Sequence, residues 1–459
     1  MNDSSHRLRF LTATLLLAGG VFFLGFLVDR TQFGQLLAAF TAAFAGYALF
    51  IGTAAAAGPD TPAPFLSWHR TPTGRLLLFG LGLRILLLFA FPRLSDDIYR
   101  FVWDGRLIIQ GINPFSHLPG HYLTQSVPGL TPELFARLNS PDYYTIYPPI
   151  AQGVFAAAAW LFPTSVAGSA LVLQVFLLAC EVGSLFLLLA ILRRYGLPPA
   201  RALLYWLNPL VIIEITGNLH FEGAMVCFTL LGIYLLLKQR WAGAGAALAA
   251  AVAAKLLPLL LLPFLLRRLW WRPLLWFSIA FGGVTLLLFL PLLTTSFPAN
   301  FGSSLDLYFR KFEFNASLYY LARAYGYYQI GWNQIARFGP LLAQAAAGAI
   351  LLFALLEPRP ARWRQLPVRW LAAFVIYLLC ATTVHPWYLS LPVVLCVFTP
   401  WRFPLVWSFL IALTYTTYTT DPYRENLWLV ALEYLTVLAF ALGEWWWRRR
   451  TPGRLEKAV

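Results

Sequence analysis

Apolar runs broken by short polar stretches recur along the whole chain, and the first three cover residues 10 to 28, 34 to 57 and 76 to 92. Runs of this length are long enough to cross a hydrocarbon core of about 30 Å as helices, which satisfy their own backbone groups where water is absent. The pattern predicts an all-α, polytopic integral membrane protein forming one membrane domain, with no polar stretch long enough for a soluble domain. The first run follows Arg7 and Arg9 and is succeeded at once by another span, so it reads as a retained signal anchor rather than a cleaved signal peptide.

Lys and Arg in short loops set the orientation. Arg7 and Arg9 place the N-terminus inside, as do the loops "WHRTPTGR", "LRRYGLPPAR", "LKQRW", "RRLWWRP" and "EPRPARWRQLPVR" and the terminal "WWWRRRTPGR". The third span then delivers "SDDIYR" to the outer side. Two apolar runs, Pro148 to Phe162 and Ser169 to Leu192, separate it from the basic Arg193 and Arg194. The first is about 15 residues where roughly 20 are needed to span, so it is expected as an outer juxtamembrane or re-entrant segment. "AGAGAALAAAVAAKLLPLLLLPFLL" is expected as a short hairpin with Lys255 at its outer apex. The sum is about fourteen spans with both termini inside.

Composition agrees: the 459 residues are 59% hydrophobic and only 12% charged, with a mean hydropathy of +0.67. The formal charge of +15 is scattered at span ends rather than gathered in an aromatic-interleaved patch, which argues for topology signals and headgroup anchors and against nucleic acid. Cys180, Cys227, Cys380 and Cys396 all lie in apolar segments with no CxxC, so neither a disulfide framework nor a zinc knuckle is expected. No P-loop or GxGxxG implies a bound nucleotide.

With this topology the outer polar material forms a set: residues 95 to 147, "NLHFE", Lys255, residues 294 to 337, "VHPWYL" and "DPYREN". In "SDDIYRFVWDGR", Ser95 is a good N-cap and acids suit a first helical turn, so a capped interfacial helix with Ile98, Phe101, Val102, Ile108 and Ile109 on its apolar face competes with a reactive acidic pair. Asp97, Arg100 and Asp104 share another face and could be an ion-paired surface. Against the bland reading, a cap needs one acceptor, and rim charges beside other ionisable groups are functional by default. His220 and Glu222 would diverge on a helix but could share a site in an extended turn; polar capping competes there with metal ligation. Lys255, away from the basic loops, calls for a buried acid or a phosphate as partner. In "RKFEFNASLYYLAR", Asn315 is the expected N-cap, and Arg310, Lys311 and Arg323 are either an interfacial helix or a clamp for an anionic headgroup, which His385 and Arg424 could join.

"YRFVWDGRLIIQGINPF" after the acidic pair, then "YYTIYPPIAQ", "GNLHFEGAMV", "AAVAAKLLPLLLLPFLL" and "HPWYLSLP", resemble the GT-C superfamily of glycosyltransferases, closest to bacterial polyprenol-phosphate-mannose-dependent mannosyltransferases. The likeness runs from about Leu76 to Phe440. It implies a GT-C fold of about 14 transmembrane helices with juxtamembrane helices in the first large outer loop. It divides the chain into two N-terminal helices (1–75), a catalytic module (76–293) with outer loop 93–147, and a segment 294–459 with outer loop 294–337 and the C-terminal helices.

The resemblance further implies transfer of a hexose, mannose by the closest likeness, from a polyprenyl-phosphate-linked sugar to a glycolipid or polysaccharide acceptor. The place would be the extracytoplasmic face of a bacterial inner membrane, among membrane lipids and without nucleic acid. Carried over, Asp96 matches the catalytic base, Asp97 its neighbour, and Glu222 with His220 a second acidic site. Arg100, Lys255, Arg310, Lys311, His385 and Arg424 are the expected donor-phosphate ligands. No cofactor is certain; a divalent metal ion would fall to Asp97 and Glu222, and Glu in place of the more usual residue leaves that requirement open. The competing classes are a lipid-linked sugar transporter or flippase, which would carry its charges near the midplane in two similar halves, and an O-antigen polymerase or ligase, which would lack the span-end acids.

Overall fold

The computed structural model describes residues 3–56 and 71–450. The inner-loop residues Trp68, His69 and Arg70 and the terminal Thr451 to Arg454 lie outside them. Among the described residues the protein is helical with no strand; the one extended pairing is an isolated bridge between Phe314 and Thr383. Six helices are long and apolar enough to cross a membrane, seven if Pro209–Gly217 and Glu222–Leu237 count as one broken span. The remaining apolar helices include Pro149–Leu161, Trp241–Ala254 and Leu257–Arg267, all shorter. The chain is therefore a multi-span helical membrane protein, built on this core of long helices.

Two compact units interleave along the sequence. One comprises Met1–Leu94, Glu181–His220 and His385–Val459; the other comprises Ser95–Cys180 and Phe221–Val384.

In the first unit, Asp3–Phe22 packs on Phe33–Ala56 through small residues. A Cβ at Gly46 would meet the Ala13 carbonyl and the Leu17 backbone, so only glycine lets these two backbones approach. The apolar run 76 to 92 hides a charge: Arg84 is wholly buried and its guanidinium grips Glu181, Nε at 2.5 Å and the second nitrogen at 3.2 Å. It also donates to the carbonyls of Gly80 and Trp206 and lies over the Trp206 ring at 3.9 Å. Tyr205 and Thr216 donate to the same carboxylate, leaving the pair fully hydrogen-bonded.

In the second unit, Asp97–Ile109 packs on Pro149–Leu161 at Gly105, where a Cβ would collide with the Phe155 backbone. This helix is not an interfacial amphipath. Arg100 to Leu107 are all buried, so the Asp97, Arg100, Asp104 face points into protein, not into solvent. Its N-cap is Asp96 rather than Ser95. Lys255 lies at a break between Trp241–Ala254 and the 3-10 helix Leu257–Arg267, in extended backbone. Asn315 does not cap; it adopts a left-handed φ of 47°, and Ser317 precedes the helix Leu318–Ile330. All four cysteines are free.

Candidate functional site

The second unit brings two blocks of the segment 95–152 together. Arg100 donates to Asp104 (2.9 Å) and to the carbonyls of Ser140 and Tyr143 (both 2.9 Å). Asp104 in turn accepts from Gln152, which also donates to Thr145 (both 3.0 Å). "SDDIYRFVWDGR" and "YYTIYPPIAQ" are thus two halves of one buried polar network, and Arg100 holds the loop rather than standing open to a ligand.

That network presents the acids. Asp97 opens the helix, its backbone N–H on the Ser95 hydroxyl at 3.3 Å, and its carboxylate accepts from Asn139 (2.5 Å) and lies within electrostatic reach of the Tyr147 phenol. Asp96 is half-buried, and its carboxylate makes no capping hydrogen bond to the helix it precedes. Tyr147 is aimed by local sequence: Pro148 restricts it to extended backbone, and the Phe101 and Phe155 rings meet its ring edge-on at 4.8 and 5.4 Å. Burial first, then the Asp97 carboxylate, holds the Tyr147 phenol well above its ordinary range, so it remains a donor at any physiological pH.

Glu222 begins the helix Glu222–Leu237, wholly buried, and pairs with the Lys255 ammonium at 2.9 Å. Lys255 retains partial exposure and lies 6.0 Å from the centroid of the Tyr147 ring. Tyr308, on Phe297–Arg310, is within electrostatic reach of both carboxylates: burial, then Asp97, Tyr377 and Glu222 push its phenol up, and Arg100 pulls against them. Asp97, Glu222 and Lys255 are therefore gathered around two tyrosines, Tyr147 and Tyr308, that sequence reasoning did not single out. The signal was present for Tyr147 in "YYTIYPP", but nothing local distinguishes one tyrosine of that block from the others.

Further along this unit the basic residues have local partners. Arg310 pairs with Asp306 at 2.7 Å and donates to the Ala336 carbonyl; Lys311 is exposed. Arg323 pairs with Glu313, whose carboxylate also accepts from Tyr319 (2.7 Å) and Asn333 (3.0 Å). Glu313 went unnoticed in the sequence, and it makes the region around Arg323 an internal network.

In the first unit His220 has a separate set of partners. Its Nδ1 donates to the Glu214 carbonyl at 2.8 Å, with the Glu214 carboxylate at 3.3 Å, and Tyr415 donates to that carboxylate at 2.7 Å. The His220 and His385 rings both stack on Trp387, at 3.6 and 4.5 Å. Glu214 lies on a π-helical stretch, Ile212–Gly217, that sequence reading did not anticipate. Arg424 is exposed, with its backbone N–H on Thr420.

The fit to a metal centre is poor. Glu222 is held by Lys255 and Asp97 by Asn139, and among the described residues no three His, Cys, Asp or Glu side chains come together as ligands.

A multi-span helical membrane protein with acids and a lysine near a buried polar network defines the class. Residues 11–271, more than half of the chain, match the family described as alpha-(1->6)-mannopyranosyltransferase, N-terminal domain, and the chain belongs to that family. Two curated relatives from Corynebacterium glutamicum are similar over part of their length. Alpha-(1->6)-mannopyranosyltransferase A is 25% identical over 185 residues, which are 39% of this chain and 35% of the relative. Alpha-(1->6)-mannopyranosyltransferase B is 27% identical over 167 residues, 35% of this chain and 26% of the relative. The chain thus spans about a third of the first relative and about a quarter of the second.

Proposed function

We propose that the protein is a membrane mannosyltransferase that moves mannose from a polyprenyl-phosphate-linked donor to a glycolipid or polysaccharide acceptor on the extracytoplasmic face of a bacterial inner membrane. The observation that carries this reading is the Asp96 and Asp97 pair: Asp97 is held by Asn139, while the adjacent Asp96 carboxylate is not used to cap its helix. Family membership supports the sugar, and the apolar helices support a donor that arrives through the bilayer. Shorter helices, among them Pro72–Leu87, Trp241–Ala254 and Leu366–Cys380, add further crossings toward about fourteen, packed where neighbouring helices replace lipid.

In the reaction the acceptor hydroxyl attacks the anomeric carbon and its proton passes to Asp96. The bond from that carbon to the phosphate oxygen breaks with its electron pair leaving on the phosphate, so a single displacement inverts the centre. Phosphate leaves without protonation, and Lys255 stabilises the charge it gains. Asp97 orients the acceptor, and Arg100 keeps both acids in place through the loop it ties down. No step is routed through a metal.

The test is transfer by purified protein in lipid nanodiscs from labelled polyprenyl-phosphate-mannose, with the glucose and arabinose donors as controls and membrane glycolipid extract as acceptor. Asp96→Asn is expected to lower transfer by about 10²- to 10⁴-fold with unchanged thermal stability. Undiminished transfer would remove Asp96 as the base; movement of donor across a sealed bilayer without transfer would replace the enzyme by a flippase.

A further inference from the structure

Three arginines from separate parts of the first unit converge on one turn. Arg201 lies in the 3-10 helix Pro199–Ala202, Arg402 precedes the helix Phe403–Leu410, and Arg448 belongs to the last turn of Leu427–Arg450. Arg201 and Arg402 donate to the same Thr399 carbonyl oxygen, at 2.5 and 2.9 Å, and Arg448 donates to the next carbonyl, that of Pro400. The three charges therefore stand side by side. Arg402 also reaches the Cys396 and Trp401 carbonyls, at 3.0 and 2.8 Å.

Carbonyl dipoles orient these groups without neutralising them. The carboxylate beside them, Glu444, is engaged elsewhere: it accepts the backbone N–H groups of Arg402 and Phe403 at 3.0 Å, capping the helix they open, and lies 3.6 Å from Arg448. One such carboxylate against three guanidiniums leaves positive charge in surplus. Burial first, then the Arg402 charge and to a smaller extent that of Arg448, pulls the Arg201 guanidinium down to about 10. The Nε of Arg448 is buried and meets no acceptor among the described residues, so one edge of its fork is open to an anionic oxygen. Arg448 lies over the Trp401 ring at 5.2 Å, and the exposed Trp445 and Trp446 carry Arg449 and Arg450 at 4.0 and 3.9 Å. Tryptophan beside arginine at the end of a spanning helix is the composition of the headgroup level, where the abundant anion is lipid phosphate.

We propose that Arg201, Arg402 and Arg448 form a binding site for the phosphate of an anionic membrane lipid. The site is independent of the transfer reaction. Guanidiniums bind phosphate oxygens through paired N–H groups, and an anion among them relieves their mutual repulsion. A zwitterionic headgroup brings a cation of its own and relieves less. Arg449 and Arg450 carry the same charge but each lies on its own indole, so they supply general attraction to a membrane surface rather than the site.

Native mass spectrometry of the purified full-length chain, offered equal amounts of phosphatidylglycerol and phosphatidylcholine, reads the preference directly. Wild type is expected to retain phosphatidylglycerol about tenfold or more over phosphatidylcholine. Arg402→Gln combined with Arg448→Gln should bring the two lipids to near equality, whereas Arg449→Gln combined with Arg450→Gln should keep most of the preference. Should the first double variant fail to fold, Arg448→Gln alone decides in nanodiscs. Phosphatidylglycerol should raise the melting temperature of wild type above its value in phosphatidylcholine and leave that of Arg448→Gln unmoved. An arginine with a merely structural role would shift the melting temperature equally in both lipids.

The site is overturned if wild type retains both lipids equally, if the Arg449 and Arg450 substitutions remove the preference as fully, or if Arg448→Gln shifts the melting temperature by the same amount in both lipids. Displacement of phosphatidylglycerol by an equal concentration of inorganic phosphate would make the ligand a free anion and overturn the lipid assignment.

Discussion

Two buried ion pairs, one in each unit, are built in opposite ways. Arg84 and Glu181 meet through two nitrogens and two oxygens, with Gly80, Trp206, Tyr205 and Thr216 taking up the remaining donors and acceptors. Glu222 and Lys255 meet at one point, 2.9 Å apart, and no other group among the described residues hydrogen-bonds the Glu222 carboxylate. Both pairs carry the cost of dehydrating two charges, and only the first recovers it through a complete hydrogen-bond set. A planar guanidinium locked in such a set has no capacity left for a ligand. A compact ammonium is a point charge on a flexible stem, and at Lys255 it keeps some exposure. The contrast separates an ion pair closed by a full hydrogen-bond set from one that meets at a single contact.

The comparison breaks most sharply on stability. Glu181→Ala should destabilise by about 3–5 kcal/mol, since it strands a buried guanidinium, and heating in detergent with size-exclusion readout should show early loss of monodisperse protein. Replacing the other pair together, Lys255→Met with Glu222→Leu, should leave stability within about 1.5 kcal/mol while abolishing donor-dependent transfer. A double variant that unfolds as readily as Glu181→Ala would erase the distinction. Lys255→Gln alone sharpens it: donor KM should rise about tenfold or more with the acceptor KM unchanged, as expected when one charge partner of a phosphate is lost.

Asn139→Ala, which removes the amide donor to Asp97, should cost about 1.5–3 kcal/mol in kcat/KM and little in polyprenyl-phosphate affinity. The smallest effect is expected at Arg310→Ala. Its half-exposed pair with Asp306 is worth at most about 0.5 kcal/mol of stability, so any larger rise in donor KM would bring Arg310 into the phosphate site.

The acids were legible because a charge beside a span is rare enough to stand out, and Asp96, Asp97, Glu222 and Lys255 were all singled out on that ground. Arg84 and Glu181 were not, although each is a lone charge inside an apolar run. Reading hydropathy by windows averages a single charge away, and Glu181 is its partner only after the chain has folded 97 residues back on itself. Arg100 shows the converse. On a helical wheel it belongs with Asp97 and Asp104 on a polar face, yet that face is internal, and its other contacts come from Ser140 and Tyr143, forty residues on.

By itself the sequence determined that this is a helical membrane protein and where its acids fall, because both follow from local quantities: the length of an apolar run and the rarity of charge at its end. Tertiary structure alone decided which charges are paired with what, that Arg100 is taken up by the Ser140 and Tyr143 carbonyls, and that Glu214 backs His220. Those contacts join residues far apart in the chain, and whether a buried carboxylate is locked, as Glu181 is, or held by one exchangeable partner, as Glu222 is, depends on how many donors the packed helices bring within hydrogen-bond reach.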